Sequence, residues 1–308
     1  MKTIDMAPDA RKNTTENPLW LAPLRGVTVR AFRETFAGAI REAGFRGAFA
    51  PFIPANPGIR VTDRLLTDLR PVPGGVPLVP QVITKHPDAM RVLLRAFRER
   101  GFDRADLNAG CPFPMIVRRG RGSGLLRSPN TLEALLEAGC EEMGAGKFSL
   151  KVRLGIDSPD ELAALLPRIN RYPLAALTVH ARTARQMYGG EVNLPRFARI
   201  LAESTNPVIY NGDASADSDW PRLAAAGVMV GRSFIRSLGA RADADTLLRA
   251  YVDRSREELC GDTPVLGRMK ELLSYWCAVP RWRRLWPVVK LCRSVDELLS
   301  LVPQPPGP

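Results

Sequence analysis

Between residue 19 and about residue 235 the sequence alternates short apolar runs with stretches whose apolar residues recur every three or four positions. The runs at 19–22, 47–51, 78–83, 103–108, 148–153, 176–180, 208–211 and 228–230 make eight candidate strands. Between them, 29–43, 88–100, 132–143, 160–170 and 194–203 carry helical periodicity. Strand alternating with helix implies a parallel sheet covered by helices. Ser158-Pro159-Asp160-Glu161 supports the helix near 160, with Ser158 as cap, Pro159 as first residue and Glu161 at the capping-box position. Ser294-Val295-Asp296-Glu297 repeats that signal late in the chain.

An open doubly wound sheet and a closed barrel both satisfy the alternation, so the placement of polar residues decides. Asn108, Lys151 with Arg153, His180, Asn211 and the Gly231-Arg232 pair each fall at or just past the C-terminal end of a different strand. That is the face on which barrel enzymes assemble their sites from many loops. No dinucleotide-type glycine motif follows the first strand; Gly120-Arg121-Gly122-Ser123-Gly124 lies in a loop after the fourth. The expected fold is α/β: a (β/α)8 TIM barrel over 1–240, then a small C-terminal helical domain over 241–308. The helices of the latter are expected near 242–260, 265–276, 286–292 and 294–301. A length of 308 residues suits one barrel of roughly 200–250 residues and an appendage.

Forty-four Lys and Arg against 32 Asp and Glu give a net charge of +12, which favours polyanionic partners. The five cysteines form no Cys-x-x-Cys pair and have no histidine nearby, so neither a disulfide framework nor a metal site is expected. No apolar run approaches the roughly 18 residues of a membrane span, and the first residues are polar; a cytoplasmic monomer is expected. In the tail, Lys270, Arg281, Arg283, Arg284, Lys290 and Arg293 interleave with Tyr275, Trp276, Trp282 and Trp286. Such a mixture suits phosphate contact and base stacking, or else a tryptophan core beneath a solvated cationic face.

Asn108-Ala109-Gly110-Cys111-Pro112 puts a thiol on a loop at the barrel mouth, with Gly110 permitting unusual dihedrals and Pro112 stiffening the exit. Alternation along 148–153 turns Lys151 and Arg153 to the same side, where paired cations need an anion or electron-rich ring to face. His180, one of two histidines, joins that face, followed by Arg182, Gln186 and Tyr188. Asn211-Gly212-Asp213 and Gly231-Arg232 follow strands seven and eight, where barrels often hold a cofactor phosphate. Together these parts describe a flavin mononucleotide site.

Over nearly its whole length the chain resembles the tRNA-dihydrouridine synthases. The resemblance rests on Leu21-Ala22-Pro23-Leu24 with Gly26-Val27-Thr28, on 108–126, 151–155, 178–189 and 208–213, and on Met229-Val230-Gly231-Arg232. The stretch 267–275 is most similar to the bacterial branch acting on uridine 16 of the D-loop. The resemblance implies that NADPH reduces FMN, that hydride then passes to C6 of a flipped-out uracil, and that Cys111 protonates C5. A thiol keeps its proton at neutral pH, where an ordinary carboxylate has lost it. By the same resemblance FMN lies against Pro23, Leu24, Gln81, Lys151, His180, Asn211, Asp213, Gly231 and Arg232, while Asn108, Arg153 and Arg182 face the nucleotide. Arg118, Arg119, Arg121, Arg268 and Lys270 are candidate tRNA contacts that offset the cost of flipping the base.

Some positions depart from the family pattern. Leu24 replaces the usual methionine, Arg25 follows where a small or acidic residue is common, and Val29 stands for an aspartate. The segment 214–231 is shorter than usual and lacks a Gly-x-Asp before the eighth strand. A shortened helix or strand would keep Gly231 and Arg232 in place; otherwise FMN would bind weakly. Two other readings stay open: a flavin-dependent barrel oxidoreductase acting on a free pyrimidine, and an RNA-binding paralogue without flavin.

Overall fold

A computed structural model describes residues 17–215 and 224–303. Its strands are β1 (Leu19–Leu21), β2 (Phe45–Phe49), β3 (Ile53–Pro54), β4 (Leu78–Val79), β5 (Gln81–Ile83), β6 (Ala105–Ala109), β7 (Phe148–Gly155), β8 (Ala176–Thr183), β9 (Val208–Asn211) and β10 (Gly227–Val230). Helices α1 (Arg30–Thr35), α2 (Ala37–Glu42), α3 (Pro87–Glu99), α4 (Pro114–Arg118), α5 (Pro129–Met143), α6 (Glu161–Ile169), α7 (Leu194–Glu203) and α8 (Arg232–Leu238) intervene or follow. Four more close the chain: α9 (Ala244–Glu258), α10 (Asp262–Trp276), α11 (Pro280–Leu291) and α12 (Val295–Ser300).

All strand pairs are parallel, in the order β3-β5-β6-β7-β8-β9-β10-β1-β2-β4. The two ends of that order meet through one run of chain. Pro80 separates β4 from β5; Val79 accepts from Ala50 N–H on the β2 side at 2.9 Å, and Pro80 accepts from Asp106 N–H on the β6 side at 2.9 Å. A proline has no N–H to give a ladder, so it sits where the run passes from one neighbour to the other. The ten short strands are therefore the eight expected ones, with the second and third each interrupted, and the sheet closes into a barrel.

Side chains alternate between the barrel interior and the helices outside. The lower interior is apolar: Trp20, Phe49, Val79, Ala176, Ile209 and Met229 pack together. Trp20 fills the barrel floor, and its ring demands glycine beside it; a Cβ on Gly47 would lie 2.6 Å from Trp20, and one on Gly227 would lie 3.0 Å from its indole nitrogen. The next interior positions upward, Gln81, Asp106, Asn108, Ser149, Lys151, Thr178 and His180, are polar and turn toward the C-terminal mouth.

Two local expectations need correction. The helix expected over 29–43 breaks at Phe36 into α1 and α2. Helix α6 begins at Glu161 rather than Pro159, because the Glu161 carboxylate turns back to accept the N–H groups of Ile156, Asp157 and Ser158. At α12 Ser294 caps as expected, accepting Glu297 N–H at 3.1 Å, while Glu297 reaches back one residue further than a capping box, to Arg293 N–H at 2.6 Å.

The terminal helices share one hydrophobic core with the barrel helices. Tyr251 of α9 packs edge-on against Phe32 and Phe36, and Trp276 of α10 meets Phe36 at 6.4 Å between ring centres. Trp276 and Trp282 are buried, 5.0 Å apart, and Trp282 donates its indole N–H to Gly239 O at 2.8 Å. Of the two readings of the tail tryptophans, the core reading holds for this pair. Helix α11 starts at Pro280, six residues before the expected 286, because Pro280 supplies its first turn. Among the described residues no helix is long and apolar enough to cross a membrane.

Candidate active site

At the C-terminal mouth a cleft is lined by Pro23, Leu24, Asn108, Cys111, Lys151, Arg153, His180, Asn211, Asp213, Gly231 and Arg232, all expected site residues. Six strand ends contribute these residues, so closure of the barrel is what brings together residues up to about two hundred positions apart in sequence.

Cys111 follows β6 and is buried to 8% exposure. Its turn is held from two sides. Asn108 Oδ1 accepts the N–H groups of Gly110 and Cys111 at 3.1 and 2.9 Å, while Ser123 donates both its N–H and its hydroxyl to Cys111 O, each at 3.0 Å. Gly122 makes that approach possible: φ is +56° there, and a Cβ would lie 2.8 Å from Cys111 Cβ. Burial raises the thiol pKa, against the pull of the Phe113 N–H and the charges of Arg153, Arg25 and Lys151. The thiol therefore holds its proton at neutral pH.

Lys151 donates Nζ to Asn211 Oδ1 at 2.8 Å, and Asn211 Nδ2 donates to Met229 O at 2.8 Å, tying β7, β9 and β10 into one floor. Burial, aided by the Arg153 charge, lowers the Lys151 pKa to about 7, with Asp106 opposing. His180 is pushed well below its ordinary value by burial and then by Arg153, Lys151 and Arg182, so it is neutral. Arg182 Nη1 lies 3.4 Å from His180 Nε2, and a guanidinium can only donate; Nε2 is the acceptor and Nδ1 carries the proton.

Arg153 Nε donates to Gly110 O at 2.9 Å, and its Nη1 donates to Thr183 O at 2.9 Å and Met187 O at 2.6 Å. Its guanidinium also lies 5.3 Å from the Tyr188 ring centre, with Arg232 at 4.6 Å from the same ring. Asp213 sits at φ +46° and bridges Arg182 and Arg232, the latter at 3.0 Å. Residues 216–223 of the shortened segment lie outside those described, but β10 still pairs with β9 and β1 and delivers Gly231 and Arg232 to the cleft.

Several expected contacts lie elsewhere. Gln81 is fully buried beneath the cleft, donating to Asp106 and accepting from Asn108, so its amide supports the floor rather than lining it. Arg182, 2% exposed, is committed to Gly189 O, Gly190 O and Asp213 and braces the 183–190 loop. Arg268 pairs with Glu258 at 2.9 Å, and Lys270 donates to the carbonyls of Lys290 and Cys292 at 2.9 and 2.7 Å, joining α10 to the end of α11. These two charges hold helices together. Arg118, the last residue of α4, and Arg119 after it are exposed, and Arg121 donates to Asn56. Arg284, Lys290 and Arg293 are exposed on the tail, while Arg283, also exposed, donates to the carbonyls of Cys277 and Ala278 at 3.2 and 3.3 Å.

The sequence reading missed Phe52, Phe113, Arg236, Glu271 and Tyr275, which also line the cleft. Phe52 had no visible signal; the stretch 267–275, noted for its family resemblance, contains Glu271 and Tyr275, so α10 closes one side of the site.

The donor set suits FMN. Lys151, Asn211, Arg232 and Arg236 offer positive or polar groups around one hollow, and Gly231 leaves room that a side chain would take, a Cβ there lying 3.1 Å from Ala22 Cβ. Two solved structures share the fold at low sequence identity. An old yellow enzyme homologue from Zymomonas mobilis matches with TM-score 0.54 and 14% identity over 76% of this chain and 90% of its own. Morphinone reductase matches with TM-score 0.52 and 15% identity over 71% and 83%.

Sequence relatives are more specific. A protein of Rhodobacter capsulatus described as a probable tRNA-dihydrouridine synthase is 30% identical over 70% of this chain and 67% of its own length. A tRNA-dihydrouridine(16) synthase of Ralstonia nicotianae is 27% identical over 83% and 79%, and a tRNA-dihydrouridine synthase B of Vibrio cholerae is 29% identical over 64% and 60%. Residues 20–250, most of the barrel and the start of the terminal helices, match the sequence profile described as Dihydrouridine synthase (Dus), and this chain belongs to that family.

Proposed function

We propose that the chain reduces uridine to 5,6-dihydrouridine in the D-loop of tRNA, at position 16, with NADPH as the electron source and FMN held in the cleft. The observation that carries this reading is a buried, protonated thiol, Cys111, facing the same hollow as Lys151, His180, Asn211, Gly231 and Arg232. FMN, when bound, supplies hydride to C6 of the uracil and is recharged by NADPH. Arg232 and Arg236 with the Gly231 backbone would hold its phosphate, and Lys151 and Asn211 would bind its ring.

The remaining work belongs to the protein. Cys111 Sγ gives its proton to C5 as the C5=C6 bond is lost, and the thiolate recovers a proton from water. Arg153, Arg25 and Lys151 stabilise that thiolate while it lasts. The balance is uridine, NADPH and one proton in, dihydrouridine and NADP+ out. Asn108 faces the uracil from the floor of the same turn. The choice of position 16 draws on the 267–275 stretch, which brings Glu271 and Tyr275 to the cleft, and on the Ralstonia relative. We place the protein in the cytoplasm as a monomer.

The test is direct. Protein supplied with FMN, NADPH and an unmodified tRNA transcript should form dihydrouridine at position 16, mapped by mass spectrometry or reverse-transcription stops. Absence of both flavin binding and NADPH oxidation would overturn the synthase reading; dihydrouridine at another position would overturn only the assignment to 16.

A further inference from the structure

Directly beneath the cleft, three neighbouring strands carry a buried chain of polar groups that runs up to the Cys111 turn. Gln81 on β5 stands opposite Asp106 on β6, which stands opposite Ser149 on β7. Ser149 donates its hydroxyl to Asp106 Oδ1 at 2.6 Å, Gln81 Nε2 donates to Asp106 Oδ2 at 2.6 Å, and Asn108 Nδ2 donates to Gln81 Oε1 at 2.7 Å. Asn108 Oδ1 then takes the two N–H groups that shape the Cys111 turn.

The chain has a direction. The N–H groups of Gly110 and Cys111 can only donate, so Asn108 must show them oxygen and turn its NH2 to Gln81. Gln81 must then accept there and point its own NH2 onward, where only an acceptor will do. A primary amide has nearly the same shape either way round, so packing cannot choose its orientation; hydrogen-bond polarity does. Gln81 and Asp106 are fully buried and Ser149 is nearly so, which leaves a reversed amide donor facing donor with no solvent to relieve it.

We propose that Asp106 is a positioning residue for Cys111: as the terminal acceptor of this chain it fixes the orientation of the Gln81 and Asn108 amides, and through them the turn that aims the thiol. The inference takes its functional meaning from the reading of Cys111 as proton donor. Burial raises the Asp106 pKa to about 6, so at neutral pH it is the carboxylate with two accepting oxygens that the chain requires.

A double-mutant cycle tests the direction itself. Asp106→Asn can still offer Oδ1 to Gln81 if its NH2 faces Ser149, whose hydroxyl can accept and send its proton to Ala105 O, 3.3 Å away. Ser149→Ala leaves the carboxylate in place. Together they leave the asparagine NH2 no acceptor except by reversing both amides. The readout is the rate at which iodoacetamide alkylates Cys111 in purified folded protein, assigned by mass spectrometry, with neither RNA nor NADPH present. Each single variant should stay within about threefold of wild type, and the double variant should depart at least about tenfold from the product of the two. Additive behaviour, or a tenfold change in either single variant, overturns the proposal. If the double variant does not fold, Asp106→Asn with Ser149→Thr, which restores the hydroxyl, must match Asp106→Asn alone; a mismatch also overturns it. Failure here leaves dihydrouridine formation untouched, whereas a Cys111→Ala protein that still makes dihydrouridine at the normal rate refutes the proton-donor reading and not the hydrogen-bond chain.

Discussion

The barrel mouth and the terminal helices are both rich in cations and aromatic rings, yet they use them in opposite ways. At the mouth, Lys151, Arg153 and Arg232 converge on one hollow. In the tail, Trp276 and Trp282 are core, Arg268 and Lys270 bind helix partners, and Arg281 pairs with Asp245. The difference lies in what composition can specify. A strand end in a closed barrel has a fixed direction and a fixed set of neighbours. A residue on a short terminal helix faces core, neighbour or solvent according to packing that composition does not encode.

The largest effect expected from this contrast is at the mouth. Cys111→Ala should lower dihydrouridine formation by about 10²- to 10⁴-fold, the range for losing a positioned general acid, while NADPH still reduces the flavin at its normal rate. Single-turnover measurement of the two half-reactions separates the steps; equal losses in both would make the thiol structural.

In the tail, Trp282→Ala should destabilise the protein by about 3–5 kcal/mol, as expected for emptying a buried aromatic site, read by urea unfolding. Unchanged stability with weakened tRNA binding would instead make the ring a stacking surface and dissolve the contrast.

A smaller effect separates free from committed cations. Arg284→Ala and Lys290→Ala should each weaken tRNA binding and flatten its dependence on log salt by about one unit or less. Arg268→Ala should lower the melting temperature and leave that slope alone. The reverse pattern would return the RNA surface to Arg268.

The smallest expected effect concerns Lys151. Its folded pKa of about 7 lies below the ordinary 10.5, so the unfolded chain binds more protons between those values, and stability rises as pH climbs through that window. Lys151→Met should therefore raise the melting temperature of the flavin-free protein by about a few degrees near pH 7, with the gain fading toward pH 10. A gain independent of pH would point to packing rather than charge.

Much of this site is legible in the sequence. Eight apolar runs alternating with helices implied a parallel sheet, and Asn108, Lys151, His180, Asn211 and Arg232 at their ends favoured the barrel by implying a shared face. Strand boundaries moved by a few residues, and Pro80 and the chain after Phe49 interrupted two strands, because ladder pairing rather than local hydrophobicity sets those limits. Arg153 and Arg182 look alike in sequence, two residues past comparable inward positions, yet Arg153 lines the cleft and Arg182 is sealed behind Asp213. Asp106 drew no attention at all, since an aspartate inside an apolar run carries no local sign of its partners.

The sequence by itself determined the alternation, the polar strand ends that favour a barrel over an open sheet and, through the family resemblance, the expectation that Cys111 is the acid, because periodicity and motif are properties of the residue pattern alone. Tertiary structure decided which polar groups meet. Gln81, Asp106 and Ser149 become neighbours only through the register of β5, β6 and β7, and their hydrogen-bond polarity is a property of that contact. The tail was decided the same way: α10 placed Tyr275 in the cleft and Trp276 in the core, one residue apart, because a helix turns each successive side chain to a new face.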